Sequence, residues 1–173
     1  MARPIETLLD DVGWRLLVVL QENARVSFSA LGRKVGLSAP AVAERVRRME
    51  EAGIIAGYQT RLGLERLGRP IAALFRVSTP EENSGRVKAL ARDLTEVLEC
   101  HHLTGSDSFV VKVAVSSVAH LEAVIESFGR YGTPTTAIIL SSPVAGRTIA
   151  GPPVAKLARR VDGAPRSQGA RRS

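Results

Sequence analysis

Residues 27–58, SFSALGRKVGLSAPAVAERVRRMEEAGIIAGY, set two short amphipathic helical patterns on either side of a glycine, and few folds accommodate that spacing. Ser27 is suited to cap the first pattern, in which Phe28, Leu31 and Val35 recur so that one face packs while the other stays wet. Gly36 interrupts it. Leu37 then leads to Ser38, a second capping residue; Pro40 falls in the first turn, where its missing N–H has no intrahelical bond to lose, and Gly53 suits the C-terminal end. Two helices joined by so few residues pack as a helix-turn-helix.

In the second helix Ala39, Val42, Val46 and Met49 follow the spacing of a buried stripe. A rotation of about 100° per residue places Ser38, Ala41, Glu44, Arg45 and Arg48 on neighbouring outward rows, with Arg47 nearer the opposite flank. A short polar side chain, a small residue and guanidinium groups near a helix N-terminus suit the major groove of DNA, where arginine holds guanine bidentately or grips phosphate. The candidate DNA-binding set is therefore Ser38, Pro40, Ala41, Glu44, Arg45, Arg47 and Arg48. The same charges have a simpler reading, in which Glu44 pairs with Arg47 or Arg48 on a solvated face. The capped helix before them and the exit after Gly53, where Ile54, Ile55 and Tyr58 read as extended chain, favour the DNA reader.

These motifs resemble the Lrp/AsnC, or feast/famine, family of transcriptional regulators. The resemblance is carried by LD at Leu9 and Asp10, LQENARVS at residues 20–27, VGLSAPAVAERVRRMEEAGIIAGY at 35–58 and VLECHHLTGSDSFVVKV at 97–113, and it runs from about Leu9 to Ile149. It implies a DNA-binding domain, a linker strand, and a second domain that senses an effector and assembles subunits. Family members commonly carry Asp where this chain has Gly13, Glu where it has Ala30 and Ala where it has Gly32. Gly13 weakens the start of the first helix, and Gly32 costs about 1 kcal/mol relative to alanine in a helix interior.

At 173 residues with 45% apolar content the chain has material for one medium domain or two small ones. Its single cysteine, Cys100, forms no intrachain disulfide and reads as a buried neutral thiol, in keeping with the cytoplasm. The first residues, MARPIETLLDD, lack a signal-peptide core, and no apolar run approaches a membrane span. The formal charge of +7 is unevenly spread: residues 1–60 hold 8 basic and 7 acidic side chains, 61–150 hold 10 and 9, and 151–173 hold 6 and 1. The excess sits in the tail, so the case for DNA rests on arrangement. Residues 151–173, with three prolines and dispersed arginines, read as a disordered basic extension that either attracts phosphate or solubilises the chain.

Residues 61–70 read as a linker between a DNA-binding domain at 1–60 and a second domain at 71–150. Strands are expected at 71–78, 97–104, 109–115 and 135–140, and helices at 83–94 and 118–130. The whole is α+β: a helix-turn-helix (winged-helix-like) domain followed by a ferredoxin-like βαββαβ sandwich. Two helices cover one sheet face, yet Phe75 and Val77 alternate with Ala72 and Leu74, and Phe109, Val111, Val113 and Val115 alternate with Val110, Lys112 and Ala114. A partner subunit is expected on the second face, giving a dimer whose paired heads engage two half-sites. The family resemblance implies higher assembly, typically an octamer built as a tetramer of dimers.

From spacing alone, residues 104–109 are a hairpin whose Gly, Ser and Asp satisfy turn geometry. The resemblance implies more: this loop, with the start of the last strand, borders an amino-acid effector pocket between dimers. On that carry-over Gly105, Ser106, Asp107, Ser108, Thr135 and Thr136 are the effector residues. Backbone and hydroxyl groups would hold the carboxylate of a zwitterion while Asp107 accepts from its ammonium. Many members have Asp at the position of Ser108 and an aromatic at that of Asp107, which leaves effector identity open.

No cofactor is expected. His101, His102 and His120 have no zinc-like spacing to other ligands, and adjacent residues of a strand point to opposite faces. No nucleophile elbow, P-loop or dinucleotide fingerprint is present. The rival enzyme reading is a sirohaem decarboxylase-like protein, similar in fold, in which His101 or His102 would act on a tetrapyrrole; the intact face from Ser38 to Arg48 weighs against it. A third reading is a self-associating structural module that touches no DNA.

Overall fold

The computed structural model describes residues 5–105 and 108–151, so Ser106, Asp107 and the tail from residue 152 onward lie outside the described residues. Two compact units emerge: residues 5–59 together with 146–151, and Thr60–Ala145.

The first unit opens with a 3-10 turn, Ile5–Thr7, followed by α1 (Asp11–Glu22), α2 (Phe28–Val35) and α3 (Ala39–Glu51). Each α-helix begins at a side-chain cap: Asp10 accepts from the Gly13 amide, Ser27 from Ala30 and Ser38 from Ala41. Gly36 closes α2 in the left-handed region at φ 79°, and its N–H donates to the Gly32 carbonyl. The apolar stripes converge on a core of Leu16, Leu20, Leu31, Val35, Val42 and Val46, with Leu37 and Ile55 packed against it.

The two unusual helix glycines turn out to be packing requirements rather than weak points. A Cβ on Gly13 would stand 1.9 Å from the Leu8 carbonyl oxygen and 3.0 Å from Met49 Cε. One on Gly32 would stand 2.3 Å from the Leu37 carbonyl oxygen. Backbone passes so close at both places that only hydrogen fits, and this offsets the propensity cost of glycine.

The second unit carries a 3-10 turn at Leu64–Leu67, inside the stretch expected to be linker. It continues with β1 (Ile71–Ser78), α4 (Glu81–Asp93), β2 (Val97–His102), β3 (Phe109–Val115), α5 (Val118–Gly129) and β4 (Thr133–Ile138). Helix α4 starts two residues earlier than expected because Pro80 takes the cap position and Glu81 and Glu82 meet the positive end of the helix dipole. Strand β4 also starts early, at Thr133, since Pro134 is tolerated on an edge strand. The antiparallel order β2-β3-β1-β4 is that of a ferredoxin-like sandwich.

Phe75, Val77, Phe109, Val111 and Val113 form the core with Val87 of α4 and Leu121, Val124 and Phe128 of α5. Phe75 and Phe128 meet edge to face with centroids 5.0 Å apart. The opposite face carries Ala72, Leu74, Val110, Ala114 and Ala137, placed there by their cross-strand register. It is less uniformly apolar than the alternation implied: Lys112 and Glu99, 2.7 Å apart, form an ion pair across it.

Candidate functional site

Val42, Val46 and Met49 are buried, which turns the opposite side of α3 outward. The Ser38 hydroxyl accepts from the Ala41 amide at 3.4 Å, and Ser38, Pro40 and Ala41 are all exposed around the first turn. That turn holds no acidic residue, so the positive end of the helix dipole is open to phosphate.

Further along, one carboxylate serves two arginines. Glu44 accepts from Arg47 Nε at 2.9 Å and Nη2 at 2.8 Å, and from Arg48 Nε at 2.7 Å. Arg47 also pairs with Glu51. Hydrogen bonds from Arg47 and then Arg48 hold the Glu44 carboxyl down at about 2, and Glu44 in turn raises Arg47. The surface ion pairs of the simpler reading are thus present. They do not hide the cations, since the Arg47 and Arg48 side chains remain 53% and 42% exposed.

Arg45 corrects the expectation of an outward row. Its Nη2 donates to the Thr7 carbonyl at 3.3 Å, to the Leu8 carbonyl at 3.5 Å and to Asp10 Oδ1. The side chain is 21% exposed, and its Nε is buried without a hydrogen-bond partner among the described residues. The turn ahead of α1 packs where a helical wheel shows open space, so Arg45 binds α3 to the start of α1. The exit from α3 is also held: Ile54 and Ile55 amides both donate to the Met49 carbonyl, and the Tyr58 hydroxyl donates to Glu50 at 2.8 Å. Burial, then Glu50, pushes the Tyr58 phenol up to about 12.

In the second unit, Gly105 adopts φ 104°, a conformation that favours glycine. Ser108 is fully engaged: its hydroxyl donates to the Thr79 carbonyl at 3.0 Å and accepts from the Thr79 amide at 3.3 Å, while its amide donates to Val77. These bonds clamp the loop to the end of β1. Thr133 lies opposite Ser78, so the start of β4 reaches the same end of the sheet, across β1 from the loop. Thr135 lies opposite Arg76 and Thr136 opposite Phe75, so the two threonines point to opposite faces of the sheet. Ser106 and Asp107 are outside the described residues.

The histidines diverge. His101 lies 3.3 Å from Glu99, His102 stacks on Phe109 with centroids 4.6 Å apart, and His120 sits between Ser116 and Glu96. Cys100 is half-buried, and burial pushes its thiol up. Among the described residues no group of three or more His, Cys, Asp or Glu converges, and no helix is long and apolar enough to cross a membrane.

Sequence reasoning found the α3 face and anticipated the pairing of Glu44 with Arg47 or Arg48 but missed two contacts: Arg45 with Asp10, and a pair of bonds joining Gln21 to the backbone of Ile149 at 2.9 and 3.0 Å. Only the Glu44 pairing had a local signal, the i,i+3 and i,i+4 charge spacing.

Residues 9–50 match the AsnC-type helix-turn-helix domain and residues 72–149 the Lrp/AsnC ligand binding domain. The HTH-type transcriptional regulator YezC of Bacillus subtilis is 39% identical over 134 residues, which span 78% of this chain and 95% of that protein. The structure of B. subtilis LrpC aligns with a TM-score of 0.76 at 28% identity, over 80% of this chain and 99% of LrpC. The feast or famine regulatory protein of M. tuberculosis, complexed with L-methionine, aligns with a TM-score of 0.73 at 28% identity, over 82% and 99%. Two domain matches in the right order, on a fold that holds a helix-turn-helix ahead of a ferredoxin-like sandwich, make this chain a member of the Lrp/AsnC family of transcriptional regulators.

Proposed function

We propose that this regulator reads a double-stranded operator with Ser38, Pro40, Ala41, Glu44, Arg47 and Arg48 of α3, and that Arg45 supports that surface from behind. The observation that carries the reading is the exposed Arg47 and Arg48 pair standing over a fully buried stripe. On contact, phosphate or a guanine edge replaces Glu44 as the partner of Arg48, an exchange between charge-assisted bonds of similar kind. The working unit is a homodimer: Ala72, Leu74, Val110, Ala114 and Ala137 form an apolar patch, flanked by Arg76, Thr135 and the Lys112–Glu99 pair, on a sheet face suited to a second copy, with Leu74 left 40% exposed. Paired heads then engage half-sites about 34 Å apart. Dimers associate further, up to an octamer. The protein acts in the cytoplasm, where its DNA is.

The second unit senses an amino acid at the end of the sheet where the β2 to β3 loop and β4 begin. Gly105, Ser106 and Asp107 supply backbone amides, a hydroxyl and a carboxylate, Ser108 shapes the loop, and Thr136 faces away from the dimer surface. L-methionine is the first effector to test, because a relative of the same fold binds it. Genome-wide footprinting with and without L-methionine and other amino acids tests operator, target and effector together. Absence of any footprint would overturn the DNA reading, and footprints unmoved by every amino acid would overturn the effector reading.

A further inference from the structure

Helix α4 packs over the edge strand β2 and leaves a groove of about 310 Å³ between them. Lys88, Ala91 and Arg92 of the helix and Val97, Cys100 and His102 of the strand line it, together with Phe109 of β3. Lys88 and Arg92 are four residues apart and share a helix face. Cys100 lies opposite Val111 and His102 opposite Phe109, both core residues, so the two point to the helix side of the sheet. A register shift between Val97 and Glu99 puts Val97 on that side as well, opposite Val113. The charges of the groove are one-sided. Arg45, Arg47 and Arg48 of α3 and Lys112 of β3 each have a carboxylate partner, whereas among the described residues none pairs with Lys88 or Arg92. Glu99 also borders the groove, but its carboxylate is taken by Lys112 at 2.7 Å and lies 3.3 Å from His101. Lys88 Nζ stands 5.8 Å from the Phe109 ring centroid, and the His102 ring stacks on the same ring with centroids 4.6 Å apart. An aromatic face thus holds the Lys88 ammonium and leaves its charge without an anion.

We propose that this groove binds a small aryl anion, whose carboxylate or phosphate is held by Lys88 and Arg92 and whose ring lies against His102, Ala91 and Val97. Two cations without a counter-ion supply the charge for the headgroup, and the planar guanidinium of Arg92 receives it bidentately. The apolar and aromatic walls seat the body, and a volume at the lower end of the range for ligand pockets admits only a small molecule. A zwitterionic amino acid fits poorly, because its ammonium finds no free carboxylate among the described residues that line the groove. None of the residues assigned to the effector loop or to the start of β4 lines it either. The groove is therefore a second small-molecule site, and it stands whether or not the loop senses an amino acid.

Cys100 supplies a local reporter. It is the chain's single cysteine and lies half-buried in the groove, so the rate of its alkylation by iodoacetamide reads occupancy there. Burial pushes the thiol up and Lys88 draws it back, so protection is taken within each variant as the ratio of rates with and without ligand. The probes, added to the full chain, are 3-phenylpropionate, phenyl phosphate, the neutral 3-phenylpropionamide and L-phenylalanine. At millimolar concentration at least one of the two anions is expected to slow alkylation fivefold or more, and the stronger of them identifies the headgroup. The amide and L-phenylalanine are expected to change the rate less than twofold. Changing Lys88→Gln and Arg92→Gln together removes no ion pair of the fold, circular dichroism checks that the chain remains folded, and the apparent affinity of the anion is expected to drop at least tenfold. No protection by either anion would overturn the inference, as would protection by the amide or L-phenylalanine equal to that by the anions, or protection undiminished in the double variant.

Discussion

Arg45 of α3 reaches Asp10, the residue that caps α1, and the same Asp10 Oδ1 accepts the Gly13 amide at 2.8 Å. One carboxylate oxygen therefore ends a helix and receives the guanidinium that ties another helix to it. Arg45→Ala removes this link together with the bonds to the Thr7 and Leu8 carbonyls. The expected cost is about 1 to 2 kcal/mol, because the side chain is mostly covered and several weak bonds are lost at once. Urea denaturation measures it, and a midpoint within error of the unaltered protein would contradict the stapling role.

Arg48 should behave in the opposite way. It is half-exposed and its partner is a carboxylate on its own helix, so Arg48→Ala is expected to leave the unfolding midpoint nearly unchanged while weakening operator binding roughly 5- to 100-fold. Glu44→Gln removes the carboxylate shared by both arginines, leaving Arg47 paired with Glu51, and is expected to tighten binding to random-sequence duplex several-fold. A mobility-shift series on the two variants checks both directions.

Acid should loosen the head through these same groups. The Asp10 carboxyl is held below 3.8, first by the Gly13 amide and then by Arg45, and Glu44 is lowered from 4.5 to about 2. A carboxylate with a depressed folded-state pKa contributes stability above its unfolded value and loses that contribution as pH falls through the folded one. Thermal stability is therefore expected to be level above about pH 5 and to decline between 4.5 and 2. Asp10→Asn keeps a capping oxygen but not the charge, so its deficit should be clear at pH 6 and vanish near pH 2. A deficit that persists in acid would show that the Arg45 pairing is not its source.

Gly13→Ala is an ordinary gain in helix propensity on paper. With the Leu8 carbonyl 1.9 Å from the new Cβ, it should instead cost about 1 to 3 kcal/mol, since backbone on both sides must shift. Chemical denaturation settles the sign.

The helices and strands were legible because their signals are local: caps at Ser27 and Ser38, the stripe of Val42, Val46 and Met49, and the alternation of Phe75 and Val77. Element ends moved where a proline sat at a tolerated position, as at Pro80 and Pro134. What stayed hidden depends on residues far apart in the chain. Arg45 finds Asp10 35 residues away and Gln21 finds Ile149 128 residues away, and neither periodicity nor charge spacing carries that information. Gly13 and Gly32 looked like defects for the same reason, since the carbonyls that require them belong to turns outside each helix.

The two threonines of β4 separate dimerisation from sensing. Thr135 shares its face with Arg76, Leu74 and Ala137, the side expected to meet a second subunit, whereas Thr136 shares its face with Phe75 at the exposed edge strand. Thr136→Val is therefore expected to reduce the response to an amino-acid effector at least tenfold in calorimetry, with effector-free DNA affinity unchanged. Thr135→Val should leave effector binding intact. Asp107→Ala, which removes the carboxylate expected to accept the ammonium group, should abolish the response. A switch needs unequal affinity for two assembly states, so the decisive readout is sedimentation with and without effector: a bound amino acid that shifts no assembly equilibrium changes nothing at the DNA. If Thr135→Val abolishes effector binding and Thr136→Val does not, the pocket opens on the other face of the sheet, and the second subunit must then contribute to its wall.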